Sequence, residues 1–233
     1  MIELVGFDGD DTLWRSEDYY QHVGTEFERI LGRWIDIRDT SVRSRLGAVE
    51  RANLALFGYG AKGMTLSMIE AAIELTDRAI GAKDIHEIVE LGKAVLSHPV
   101  ELLPGIREAV EAVASNHRIV LITKGDLFHQ ERKIEQSGLG DLFSRIEIVS
   151  EKDARSYSRV INECGVAAAT FAMIGNSLRS DIEPVIELGG WGIHMPYHVT
   201  WDHELQHGVD SGHPRVVTIQ SADDISAAIA RCG

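Results

Sequence analysis

Four short apolar runs rich in branched side chains predict buried strands: Ile2–Phe7, Arg118–Ile122, Ile146–Val149 and Thr170–Ile174. Trp191–Met195 and Val216–Ile219 carry a weaker form of the same pattern. From residue 105 onward helical periodicity alternates with these runs, over Gly105–Ser115, Asp126–Ser137, Ala154–Cys164, Arg179–Leu188 and Ala222–Ala230. Strand and helix alternating at intervals of about 25 residues build βαβ units and a parallel sheet. Continuously apolar strands suit a sheet covered on both faces. The expected class is α/β.

The first strand breaks the rhythm. About 110 residues separate Asp8 from the strand at Arg118, several times one crossover. Helical spacing fills the gap: Tyr20, Val23, Phe27, Ile30 and Trp34; Val42, Leu46, Val49 and Phe57; Met64, Met68, Ala72, Leu75 and Ala79; Ile85, Ile88, Val89, Val95 and Leu96. The Met64/Met68 stripe reads as core of this insert, and Gly58-Tyr59-Gly60 with Lys62-Gly63 predict a loop within it. His98-Pro99 and Leu103-Pro104-Gly105 end the pattern. The chain therefore divides into a sheet domain of residues 1–15 and 99–233 and a helical insert of residues 16–98.

Composition narrows the classes. The chain has 233 residues, 44% hydrophobic and 25% charged, which suits a globular domain with a smaller companion. Lys+Arg of 23 against Asp+Glu of 36 gives 23 − 36 = −13, a charge that repels nucleic acid and anionic membranes. Cys164 and Cys232 make no disulfide framework and fit a reducing compartment. The acidic start MIELVGFDGDD is unlike a signal peptide, and nowhere do 18 apolar residues follow one another. A cytoplasmic protein is expected, with association of copies left open.

The ends of the predicted strands carry the chemistry. Ligands of open parallel sheets bind outside the carboxyl ends of the strands. The first strand ends in Phe7-Asp8-Gly9-Asp10-Asp11-Thr12-Leu13, the second in Thr123-Lys124-Gly125-Asp126. Glu151-Lys152-Asp153 follows the third, and Gly175-Asn176-Ser177 with Asp181 follows the fourth. Each group alone fits an acidic turn or a solvated charge run. Four in order along one sheet edge do not.

This order resembles the haloacid dehalogenase-like hydrolases, across the whole chain. Asp8-Gly9-Asp10-Asp11-Thr12 matches the first motif, Thr123 the second, Lys152 the third, and Gly175-Asn176-Ser177 with Asp181 the fourth. The resemblance implies a Rossmann-like core with a helical C1 cap, and a Mg²⁺-dependent phosphatase acting on small phosphorylated molecules. Asp8 would be the nucleophile, Asp10 the acid and base, and Thr123 and Lys152 the other catalytic residues. Gly9, Thr123, Lys124, Gly125 and Lys152 would bind phosphate, with Trp14 and Arg15 near the leaving group. Asp8, Asp10, Asn176 and Asp181 would hold Mg²⁺. Members acting on halogenated acids lack the acid two residues after the nucleophile, because halide departs without a proton. Asp10 thus favours phosphoryl chemistry. Many phosphatase members have an acid at the position of Asn176, so whether Asn176 or Asp181 ligates directly stays open. A phosphomutase, or a weakly active binding or regulatory protein of the same fold, is the alternative.

Other features read as structure. His203-Glu204-Leu205-Gln206-His207 spells the H-E-x-x-H zinc pattern, but polar flanks and Gly208 mark a surface loop rather than the long helix that pattern needs. Asp11 and Asp126 read as solvent-facing or supporting residues, and Cys164 as a packed thiol. Thr12 reads as a brace for the loop.

Overall fold

The computed structural model describes residues 1–38, 42–199 and 208–233. The chain separates into two compact units, one of Met1–Glu17, Val100–Lys124 and Gln130–Gly233, the other of Asp18–Pro99 and Gly125–His129.

The first unit is built on a six-stranded parallel sheet in the order β3-β2-β1-β4-β5-β6. Its strands are β1 (Leu4–Phe7), β2 (Arg118–Lys124), β3 (Arg145–Val149), β4 (Phe171–Gly175), β5 (Trp191–His194) and β6 (Val216–Thr218). Successive side chains point to opposite faces, and both faces are filled. Val5, Phe7, Ile119, Leu121, Ala172 and Ile174 join one core with residues of two helices, α5 (Ile106–Ala114) and α9 (Ile225–Ala230). Leu4, Val120, Ile122, Phe171 and Met173 join the other, with Tyr157, Val160 and Ile161 of α7 (Ala154–Glu163) and Val185 of α8 (Glu183–Glu187). Two-sided burial is why these strands read as unbroken apolar runs.

The helix expected over Arg179–Leu188 is instead a π-helical turn, Leu178–Ile182, followed by the short α8. Pro184 has no N–H to return to the carbonyl of Ser180. That carbonyl accepts the Tyr157 hydroxyl at 3.1 Å instead.

The second unit packs α1 (Glu17–Leu31, whose first residue clusters with the sheet), α2 (Val42–Phe57), α3 (Ala61–Leu75) and α4 (Ala82–Ser97) around Val23, Phe27, Ile30, Leu46, Val49, Met68, Ala72, Ile88 and Val95. Trp34 and Ala79 fall outside the helices expected to hold them. α1 gives way after Leu31 to Gly32, a poor helix former, and the Trp34 indole N–H donates to Asp84 at 3.2 Å. α3 stops because Asp77 and Arg78 take left-handed φ values of 51° and 66°. Lys62 and Gly63, expected in a loop, lie in the first turn of α3. The α6 helix (Leu127–Ser137) begins at the Asp126 carboxylate, which accepts the His129 N–H at 3.1 Å.

Both cysteines are free. Among the described residues no helix is long and apolar enough to cross a membrane. The His203–His207 pentad lies outside the described residues.

Candidate active site

The chain runs outward from β1 to β2 and β3 on one side, and from β4 to β5 and β6 on the other. β1 and β4 therefore flank a topological switch point, where open α/β sheets leave a crevice at the strand ends. The Asp8 N–H donates to the Ile174 carbonyl at 2.9 Å, and the chain then coils tightly. The Gly9 carbonyl accepts the N–H groups of Thr12, Leu13 and Trp14 at 3.2, 2.7 and 3.3 Å, with Asp11 in the left-handed region at φ 60°. Asp8 and Thr12 thereby point the same way, and the Thr12 hydroxyl donates to Asp8 Oδ2 at 3.1 Å. It lies 3.4 Å from Asn176 Oδ1 as well, so an anionic and a neutral oxygen face one hydroxyl.

Lys152 enters from the end of β3. Of the Glu151-Lys152-Asp153 run, Asp153 caps α7 by accepting the Ser156 N–H at 2.7 Å, while Glu151 stays at the surface. That turn drives Lys152 inward, its side chain 2% exposed, where Nζ donates to Asp8 Oδ1 and, at 2.6 Å, to Asp181 Oδ1. Asp181 sits on the π-helical turn, its other oxygen accepting the Ser177 N–H at 2.9 Å. Gly175 makes room for it, since a methyl group there would overlap the Asp181 carboxylate. Asp8, Thr12, Lys152, Asn176 and Asp181 thus form one network of buried or part-buried groups.

Burial, then the Asp181 charge, raise the Asp8 pKa from 3.8 to about 7 against the pull of Lys152. Burial works against the Lys152 ammonium too, but Asp181 and Asp8 outweigh it and hold the lysine well above 10.5. Two carboxylates sharing one ammonium leave the site short of positive charge.

Asp10 belongs to a second cluster. Its Oδ1 accepts the Trp14 indole N–H and the Lys133 ammonium, each at 2.7 Å, and its Oδ2 accepts the Gln130 amide at 2.9 Å. Burial pushes this carboxyl upward, yet the Lys133 charge and these donors hold it below 3.8. Trp14 is 1% exposed and packs in the sheet unit's own core. Gln130 Nε2 also donates to the Lys124 carbonyl at 2.8 Å. With both donations to acceptors the amide orientation is set, and Gln130 Oε1 is left buried with no partner among the described residues. Such an orphan acceptor costs about 1–3 kcal/mol.

Sequence reasoning passed over Gln130 and Lys133. The signal was there: the buried face of α6 reads His129, Gln130, Lys133, Ile134 and Ser137, mostly polar where a core-packing helix should be apolar.

The remaining candidates are spread around this centre. Thr123 is 1% exposed, near the end of β2. Lys124 donates to the Ser180 hydroxyl at 2.9 Å. Gly125, at φ 141°, groups with the helical unit, as does Asp126, which pairs with Lys62 at 2.9 Å. The half-exposed Arg15 guanidinium lies 3.7 Å from Glu101. Asp11, read from sequence as solvent-facing or supporting, is buried, because its carboxylate accepts the N–H groups of Ser16 and Glu17 at 2.9 and 3.0 Å and so opens α1.

Among the described residues no three His, Cys, Asp or Glu side chains gather as a metal site. The oxygens of Asp8, Asn176 and Thr12 nevertheless suit a hard cation. Mg²⁺ takes oxygen ligands, asks for only one or two carboxylates and keeps several waters. Both oxygens of Asp10 and both of Asp181 are engaged by N–H donors.

Residues 2–189 match the family model of the haloacid dehalogenase-like hydrolases. A haloacid dehalogenase-like family hydrolase from Xanthomonas campestris is 56% identical, with a TM-score of 0.89 over 99% of this chain and 92% of that one. A 2-haloacid dehalogenase from Pseudomonas syringae pv. tomato DC3000 shares the fold at 19% identity and a TM-score of 0.63, with both chains covered in full (100%). So does YfnB of Bacillus subtilis, described as a putative HAD-hydrolase and solved with magnesium bound, at 15% identity and a TM-score of 0.64 over 98% of each chain. No curated protein matches. Motif order, switch-point network and family match agree, and the chain belongs to the haloacid dehalogenase-like hydrolases.

Proposed function

We propose that this hydrolase cleaves small-molecule phosphate monoesters through an aspartyl-phosphate. An Asp8 oxygen attacks phosphorus as the bond from phosphorus to the leaving oxygen breaks. Asp10, held here as its anion, first takes up a proton from solvent and gives it to the departing oxygen, then takes one from the water that attacks phosphorus, which frees Asp8 and releases inorganic phosphate. Lys152 neutralises the nucleophile and the transferring group. Thr123, Lys124 and the backbone N–H groups of Gly9 and Gly125 hold phosphate oxygens, chiefly by positioning. Mg²⁺, held by Asp8 and Asn176, would supply the positive charge that an anion attacking a phosphate dianion needs. Asp181 holds Lys152, its other oxygen accepting the Ser177 N–H, and would reach the metal through water. Trp14 is assigned to bracing Asp10, and the helical unit to a C1 cap, the part on which substrate choice depends in such hydrolases.

The observation that carries this reading is Asp10, an acid two residues past the nucleophile whose carboxylate is held by three donors. A reaction expelling halide has no use for it. The test is phosphate release from a broad panel of monoesters, with and without Mg²⁺. Release from at least one ester that needs Mg²⁺ and vanishes in Asp8→Asn, with an unchanged circular dichroism spectrum, is expected. Halide release from 2-haloacids, with no ester cleaved, overturns the proposal.

A further inference from the structure

We propose that Gln130 and Lys133 of α6, with the Trp14 indole, are positioning residues for Asp10, holding its carboxylate in a single setting at the carboxyl end of β1. The inference rests on the reading of Asp10 as acid and base, and deepens it.

Asp10 lies in a loop and reaches the site by its own side-chain rotations. A proton-transfer group left free there samples several rotamers and spends little time in the one that reacts. Three donors from two separate elements remove that freedom. Trp14 and Lys133 converge on one carboxylate oxygen, and Gln130 takes the other. Neither oxygen can turn away without breaking a bond to a buried group.

The way α6 is built favours positioning over packing. Gln130 and Lys133 stand three residues apart, on one face of the helix, and are 2% and 8% exposed. A helix that merely covered the sheet would bury apolar side chains there. Here a lysine stem runs through the interior to end on Asp10. Gln130 spans Asp10 and the Lys124 carbonyl, tying the acid to the end of β2. Its second polar atom is left with no partner among the described residues, a cost that packing alone would not require.

A double-mutant cycle tests this on the full chain with Mg²⁺ and p-nitrophenyl phosphate. Nitrophenolate leaves without a proton, so Asp10→Ala retains measurable turnover. Lys133→Met should lower kcat about 10- to 100-fold with KM within about twofold, a share of what a general acid–base group contributes. In the Asp10→Ala background the same change should have no further effect on kcat, since Lys133 acts only through Asp10. Should Lys133→Met fail to fold, Gln130→Leu takes its place in the cycle. A kcat within twofold of wild type, or a loss of equal size with Asp10 already removed, overturns the positioning role. Full turnover in Asp10→Ala itself would instead overturn the acid–base reading, so the two failures are distinguishable.

Discussion

Replacing Lys152 by Met keeps much of the buried stem and removes the ammonium that two carboxylates share. Its side chain is 2% exposed, that of Asp8 8% and that of Asp181 1%, so little solvent screening is available. Exposed ion pairs contribute about 0–1 kcal/mol, whereas removing one partner of a buried pair costs about 3–5 kcal/mol. At about 2–4 °C per kcal/mol for a chain of this size, the melting temperature should fall by roughly 6–20 °C. The loss should depend on pH. The folded pKa of Asp8, about 7, lies above its unfolded value, so the Asp8 anion weakens the fold increasingly as pH rises through that range. Lys152 opposes this rise, and without it Asp8 titrates higher still. The variant's deficit should therefore be smaller at pH 5.5, where Asp8 holds its proton, than at pH 8. Thermal melts in EDTA at the two pH values check both points. A deficit under about 1 kcal/mol at both, or one larger at pH 5.5, refutes the reasoning.

Asn176→Asp adds a charge to the neutral oxygen that faces the Thr12 hydroxyl together with Asp8 and should tighten Mg²⁺ binding by about tenfold, or 1.4 kcal/mol, in calorimetric titration; an unchanged Kd places residue 176 outside the ligand set. Gly175→Ala pushes a methyl group onto the Asp181 carboxylate and should cost about 1–3 kcal/mol, while an unshifted melting curve would show the site tolerates it. Burial, with the Asp10 charge, raises the Asp11 pKa to about 8 even though it accepts two backbone N–H groups, so its anion weakens the fold progressively from pH ~4 to ~8. Asn can keep both those bonds and the left-handed backbone without the charge. The melting temperature of Asp11→Asn relative to wild type should thus be higher at pH 8.5 than at pH 5, and a constant or falling difference contradicts this.

The helices show where periodicity runs out. Tyr20, Val23, Phe27 and Ile30 mark α1 correctly because burial repeats with the helical turn, but the same spacing runs on to Trp34, beyond the end of the helix. Where a helix stops depends on single residues, such as Gly32, or Asp77 and Arg78 with their positive φ. The Arg179–Leu188 segment looked like one amphipathic helix. The Ser180 carbonyl, to which Pro184 has no N–H to return, accepts the hydroxyl of Tyr157, 23 residues earlier in the chain, and no local pattern announces that.

The strands, their parallel pairing and the order of Asp8, Thr123, Lys152, Asn176 and Asp181 were all legible in the chain alone. Each follows from side chains a few residues apart: unbroken apolar runs imply two-sided burial, and polar residues after a strand imply a strand end. What folding alone decided is which of those groups meet. Lys152 joins Asp8 to Asp181 across 144 and 29 residues of chain, and Gln130 and Lys133 reach Asp10 across 120 and 123. Hydrogen bonds and charge act over a few ångströms of space, and at such separations neighbours are set by how strands and helices stack, a quantity that spacing along the chain does not encode.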